Sequence, residues 1–186
     1  MAFLSGYGNR HFLRFSLTIV LSTRLSAGVN AEPLDEYRVK AAFLYNFAKF
    51  VDWPAEAFQY AGAPFSICVL GEDPFGRALD DVAAGKSLGE RPVAVRRIAD
   101  ARQTSGCHIL FVGSSADKRV LSVLTTAKQP GLLTVGDAGN FTSEGIIITF
   151  TMEKGKVRFE INRTAADRTG LRISAKLLSL AQAGKR

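Results

Sequence analysis

The chain has 186 residues, 47% of them hydrophobic and 22% charged, with a formal net charge of +7 and only two cysteines and two histidines. That length supports one core of ordinary size, and that composition excludes the disordered, collagen-like, coiled-coil and low-complexity classes. No run reaches the ~18 to 20 uninterrupted apolar residues of a spanning helix, which excludes a polytopic membrane protein.

Residues 1–31 carry Arg10, Arg14 and Arg24 and no acidic residue. A basic start, an apolar run from Phe15 to Leu21 and small residues ending at Ala31 form the pattern of a secretory signal, with cleavage expected after Ala31. Arg24, just beyond the apolar run, departs from that pattern. The remainder, 32–186, is expected to fold as a single α/β domain without inserting into a membrane. It holds 21 basic against 17 acidic residues, a mild excess that does not call for nucleic acid. Export places Cys68 and Cys107 in an oxidising compartment, where an even count invites a disulfide; in a cytosol the same pair would be inert core thiols. A bridge closing that loop would add ~3 to 4 kcal/mol, provided that the geometry allows it.

Asp35 is a candidate cap for a helix with Val39, Phe43, Phe47 and Phe50 as its apolar stripe, ending before Pro54. Phe65–Leu70, closed by Gly71, reads as a buried parallel strand, and Pro74–Val82 as a short helix that Gly85 ends. Arg91–Ile98 alternates and, with Pro92, suits a strand near an edge. Cys107–Val112 is a further buried strand; Ser114 or Ser115 caps a helix to about Lys128, and Leu132–Val135 follows as a strand. This alternation implies crossover connections and a parallel sheet. Gly145–Thr151 and Lys156–Ile161 then form an antiparallel hairpin, and 163–183 holds one or two closing helices broken near Gly170. The expected fold is a three-layer α/β sandwich: a mostly parallel sheet flanked by helices, with a C-terminal hairpin.

The chemical inventory is sparse. Gly85-Lys86-Ser87 has Asp80 where a phosphate-binding loop needs glycine, and reads as a turn. His108 is the one histidine outside the signal; a metal site needs three or four donors, so no metal and no cofactor is expected. Cys107 and His108 are adjacent on a strand and point to opposite faces, which argues against a nucleophilic pair. No nucleophile, base and orienting group can be assembled, and the chain is not expected to be an enzyme. Asp137 ends a strand at the carboxyl edge of the sheet, where open α/β proteins bind ligands; Gly113, Ser114 and Asp137 form the candidate ligand edge. In the hairpin, Val157, Phe159 and Ile161 face the core while Arg158 and Glu160 face outward, as candidate partner-binding residues.

Five segments together resemble one family. Tyr37–Pro54, Leu110–Ser114, Leu133–Asp137, Gly155–Asn162 and Gly170–Leu178 are similar to the opening helix, central strand and turn, next strand, closing hairpin and last helix of the YfiR-like periplasmic proteins that regulate membrane diguanylate cyclases. The resemblance implies a non-enzymatic, often dimeric periplasmic repressor. Such a repressor lowers cyclic-di-GMP output by binding the periplasmic domain of an inner-membrane diguanylate cyclase, and an outer-membrane lipoprotein sequesters it. It also implies that Cys68 and Cys107 are a redox-responsive pair; the second cysteine pair of four-cysteine members is absent. The alternative is a sensory domain that binds a small ligand at the Gly113, Ser114 and Asp137 edge.

Overall fold

The computed structural model describes residues 33–113, 129–137 and 145–183. Its strands are β1 (Val51–Asp52), β2 (Phe65–Leu70), β3 (Ser87–Leu88), β4 (Arg91–Ile98), β5 (Ile109–Val112), β6 (Leu133–Asp137), β7 (Ile148–Glu153), β8 (Lys156–Ile161) and β9 (Arg172–Ile173). Four α-helices accompany them among the described residues: α1 (Pro33–Phe50), α2 (Ala78–Ala83), α3 (Arg163–Arg168) and α4 (Ala175–Ala183).

Seven strands form one sheet in the order β3-β4-β2-β5-β6-β7-β8. The five from β4 to β7 run parallel, and β3 and β8 close the two ends antiparallel. The expected α/β sandwich with a C-terminal hairpin is therefore the observed architecture. Period-two alternation sorts the central strands onto two faces. Phe65, Ile67, Val69, Ile109, Phe111, Leu133, Val135, Ile148 and Phe150 join the larger core, together with α1, Leu79 of α2, Ala165 and Ala166 of α3, and Leu177 and Ala181 of α4. Cys68, Leu70, Leu110 and Val112 point the other way, into a second cluster with Ile98, Ala101, Leu132 and Ile146. Continuous apolar runs in β2 and β5 are the mark of strands buried on both faces.

Helix α1 is pinned over the hairpin by rings. Phe47 lies 5.1 Å from Phe159 and 5.8 Å from Phe150, and Phe43 lies 5.4 Å from Phe159. Each such pair adds ~0.5 to 1.5 kcal/mol beyond the area buried. The stripe is rotated from the expected one, however. Val39 is 45% exposed, and Lys40 is buried among Ala41, Leu44, Phe47 and Ala48. The helix also starts at Pro33, ahead of Asp35, since proline is tolerated in a first helical turn.

Other boundaries moved for local reasons. The helix expected over Pro74–Val82 is confined to Ala78–Ala83, because the Asp73 carboxylate accepts from the Phe75 N–H at 2.8 Å and makes a turn there. Arg97 holds that turn to β4, bonding Asp73 at 2.7 Å, Asp80 at 2.6 and 3.0 Å and the Gly76 carbonyl at 2.9 Å. Strand β4 is one place in from the edge, because Ser87 and Leu88 pair with Pro92 and Arg91. Residues Val51 and Asp52, expected as helix, instead pair with Ile173 and Arg172. The hairpin turn is Lys154-Gly155, with φ of 49° and 73°, the two left-handed positions that a two-residue turn of this kind requires. Gly170, at φ 74°, separates α3 from the closing segment, as expected. The helix expected from Ser114 to Lys128 lies outside the described residues.

Candidate functional site

Cys68 sits mid-strand in β2 and Cys107 in the turn that leads into β5, where its N–H bonds the Thr104 carbonyl at 2.9 Å. Parallel pairing of β2 with β5 sets Cys68 opposite Leu110, and the two cysteines share the second face. Their Cα atoms are 5.8 Å apart and a disulfide joins them. Both are buried, at 0% and 2% exposure, so no reductant reaches the bridge without an opening of the fold. The Arg96 guanidinium lies 3.8 Å from the Cys107 sulfur and bonds the Ser105 carbonyl at 2.9 Å.

One residue along, His108 turns to the opposite face and stacks between Phe58 and Phe65, with ring centroids at 4.5 and 4.8 Å. Its Nδ1 accepts from the Ser66 N–H at 3.0 Å, which places the ring proton on Nε2. Nε2 is buried and completes no hydrogen bond, although the Ala57 backbone lies on that side. Burial first, and then the Arg91 charge, push His108 down to about 4. The imidazole is neutral at neutral pH, a core group rather than a ligand.

At the carboxyl edge of the parallel strands, both oxygens of Asp137 are engaged. Tyr37 donates its hydroxyl to Oδ2 at 2.9 Å and Lys40 its ammonium to Oδ1 at 2.6 Å; Lys40 also pairs with Glu36. The ammonium stands 4.4 Å over the Tyr37 ring, and Tyr37 meets Phe75 edge-on at 5.4 Å. Burial, followed by the Asp137 carboxylate, drives the Tyr37 phenol far above its ordinary range, so it stays a donor. Gly113 is buried just beyond β5, its N–H bonded to the Leu70 carbonyl at 3.3 Å; Ser114 lies outside the described residues. Of the three candidate edge residues, Asp137 is thus a helix anchor.

Arg158 and Glu160 lie on the outer face of β8, both exposed, with Phe159 buried between them and Val157 and Ile161 half-buried against the core. Arg158 has Glu153 at 3.9 Å across the hairpin. A hollow of about 270 Å³ runs along this end of the hairpin, lined by Thr151, Met152, Glu153, Arg158, Phe159, Glu160 and Ala181. Met152 is 48% exposed there.

The whole of this framework, from Tyr37 to Gln182, matches the family model of YfiR/HmsC-like proteins over residues 37–182. The chain belongs to the YfiR/HmsC-like family. Its family is one of periplasmic regulators of diguanylate cyclase signalling rather than catalysts. The disulfide of this YfiR/HmsC-like chain suits an oxidising compartment, and no helix among the described residues is long and apolar enough to cross a membrane. The sequence reading missed Tyr37 and Lys40 as partners of Asp137. The available signal was the spacing that sets Lys40 one helical turn from both Glu36 and Tyr37, beside the apolar Ala41 and Leu44.

Proposed function

We propose that this protein is exported to the periplasm, with its signal removed after Ala31, and represses an inner-membrane diguanylate cyclase by binding the cyclase's periplasmic domain. Repression lowers cyclic-di-GMP output and with it biofilm formation; an outer-membrane lipoprotein captures the repressor and frees the cyclase. The protein in the absence of its target is a homodimer. The observation that carries the reading is the family match over nearly the whole folded region, 37–182. The partner surface is the outer face of the hairpin, where Arg158 and Glu160 stand exposed beside the hollow that Met152 and Ala181 line.

Redox control acts through Cys68–Cys107. Once a local opening of the fold exposes the bridge, a thiolate of an external reductant attacking the Cys68 sulfur forms a mixed disulfide and expels Cys107 as thiolate, which the Arg96 charge 3.8 Å away in the closed fold favours. The test is the affinity of the purified protein for the periplasmic domain of the cyclase encoded beside it, in oxidising and reducing buffer. Tight binding that weakens at least fivefold in Glu160→Ala and Arg158→Ala is expected. No binding in either state would overturn the reading, and a Glu160→Ala affinity within twofold of wild type would remove the hairpin from the interface.

A further inference from the structure

Strand β8 is the last of the seven-stranded sheet, so among the described residues no strand pairs with its outer edge. Which residues own the outward row of backbone groups follows from the hairpin. In an antiparallel pair, residues alternate between hydrogen-bonded and non-hydrogen-bonded positions. The two-residue turn makes Glu153 and Lys156 a hydrogen-bonded pair, and the Asn162 N–H bonds the Ile147 carbonyl at 2.8 Å in the same register. Lys156, Arg158, Glu160 and Asn162 therefore turn their backbone groups toward β7. Val157, Phe159 and Ile161 turn theirs to the open edge.

An antiparallel partner strand must set its own outward residues against these three. If that strand is a second β8, few registers are available, and charge decides among them. Centring the pair on Arg158 or on Glu160 opposes two like charges directly. A register that brings Lys156 against Arg158 does the same. Centring it on Phe159 opposes Val157 to Ile161 twice and Arg158 to Glu160 twice, with no like-charge pair, and satisfies the outward groups of all three odd residues. Arg158 and Glu160 then occupy non-hydrogen-bonded positions, where facing Cα atoms come within about 4.5 Å and side chains interact most. The exposed charges that would blunt this edge against unrelated strands are complementary to themselves.

We propose that β8 pairs antiparallel with β8 of a second copy about a two-fold axis at Phe159, continuing the sheet across the dimer. This rests on the homodimer of the proposed function and names its interface, and it does not need the cyclase contact. Where both hold, the two contacts exclude each other, because both use Arg158 and Glu160, and the dimer is the stored form of the repressor.

Sedimentation of the purified protein across a concentration series tests this with Arg158→Glu, Glu160→Arg and the double reversal. Wild type is expected to dimerise reversibly, and each single reversal, which creates two like-charge pairs, to weaken the dimer about tenfold or more. The double reversal regains wild-type dimerisation. Mixing the two single variants gives a heterodimer, since one chain then offers only acids and the other only arginines at the facing positions. That rescue cannot come from misfolding, and circular dichroism checks each variant. A wild type that stays monomeric, single variants that dimerise as wild type, or a double variant and a mixture that stay as weak as the singles would each overturn the proposal. Cyclase affinity is a separate readout: a double reversal that dimerises but no longer binds cyclase upholds both readings, and one that dimerises and binds as wild type upholds the dimer alone.

Discussion

His108 loses on folding the ability to take up a proton in the mildly acidic range. Its ring is neutral in the core, held down to about 4 by burial and by Arg91, against 6.5 when unfolded. A histidine with a depressed folded pKa leaves stability unaffected above the unfolded value. As pH falls below 6.5 the unfolded chain takes up a proton that the folded chain refuses, and stability declines until about pH 4, where it levels. The loss over that window is about 3 kcal/mol. Urea titrations at pH 7.5 and 4.5 are expected to show it, and His108→Asn, whose Oδ1 can take the Ser66 N–H, to remove most of the slope relative to wild type. Equal slopes in the two proteins would assign the acid sensitivity to other groups. The Asp137 cluster makes a second prediction. Lys40 and Asp137 are 4% and 13% exposed at their side chains, and losing one partner of a buried pair strands the other. Because Glu36 still faces Lys40, Asp137→Asn is expected to cost about 2 to 3 kcal/mol, and Tyr37→Phe, which removes one bond to a charged group, about 1 to 2 kcal/mol. Equilibrium unfolding with a change below about 0.5 kcal/mol for Asp137→Asn would place the pair with ordinary surface salt bridges.

Among the elements, the junction of β2 and β5 is held by a covalent cross-link as well as by strand pairing. Its disulfide closes a sequence separation of 39 residues, worth about 4 kcal/mol by loop entropy. The double variant Cys68→Ala, Cys107→Ala is expected to lose about that much stability while keeping the fold, as measured by chemical denaturation. Thiol labelling followed by mass spectrometry gives a second reading of the same junction. Reductant without denaturant should leave the buried sulfurs unlabelled at early times, and both should label at once in urea. Fast labelling of the native protein would mean that the turn from Thr104 to Cys107 opens readily, which strengthens redox control. Across the sheet, Phe43 and Phe47 tie α1 to Phe150 and Phe159, so hairpin and first helix behave as one unit. The outer face of β8 is displayed from a rigid support for that reason.

For the whole molecule, the export reading makes a prediction about mass. Protein recovered from the periplasm is expected to begin at Glu32 and hold 155 of the 186 residues, by intact mass and N-terminal sequencing. A recovered chain that still begins at Met1 would turn the basic N-terminus into a retained segment. How far the molecule could be read in advance differs from part to part. Buried parallel strands announce themselves as apolar runs between turn signals, and β2, β5 and β6 were legible on that ground. The hairpin was legible from its alternation and from Lys154-Gly155, and the outward placement of Arg158 and Glu160 followed from period two alone. Strands β1, β3 and β9, of two residues each, have no periodicity of their own and exist because a neighbour offers backbone groups to pair with. Lys40 did not stand out in the sequence, because the partner that holds it buried, Asp137, lies 97 residues along the chain and comes opposite it only in the folded molecule. The sequence alone thus determined the class of fold, the burial of the central strands, the outward face of the second hairpin strand, the candidate cysteine pair and the resemblance to the family. Only the tertiary structure decided that the cysteines come within bridging distance, that Asp137 is taken by Tyr37 and Lys40, and that β8 ends the sheet. Patterning along a chain records which side of an element is apolar, whereas contacts between distant residues depend on how those sides are brought together in space.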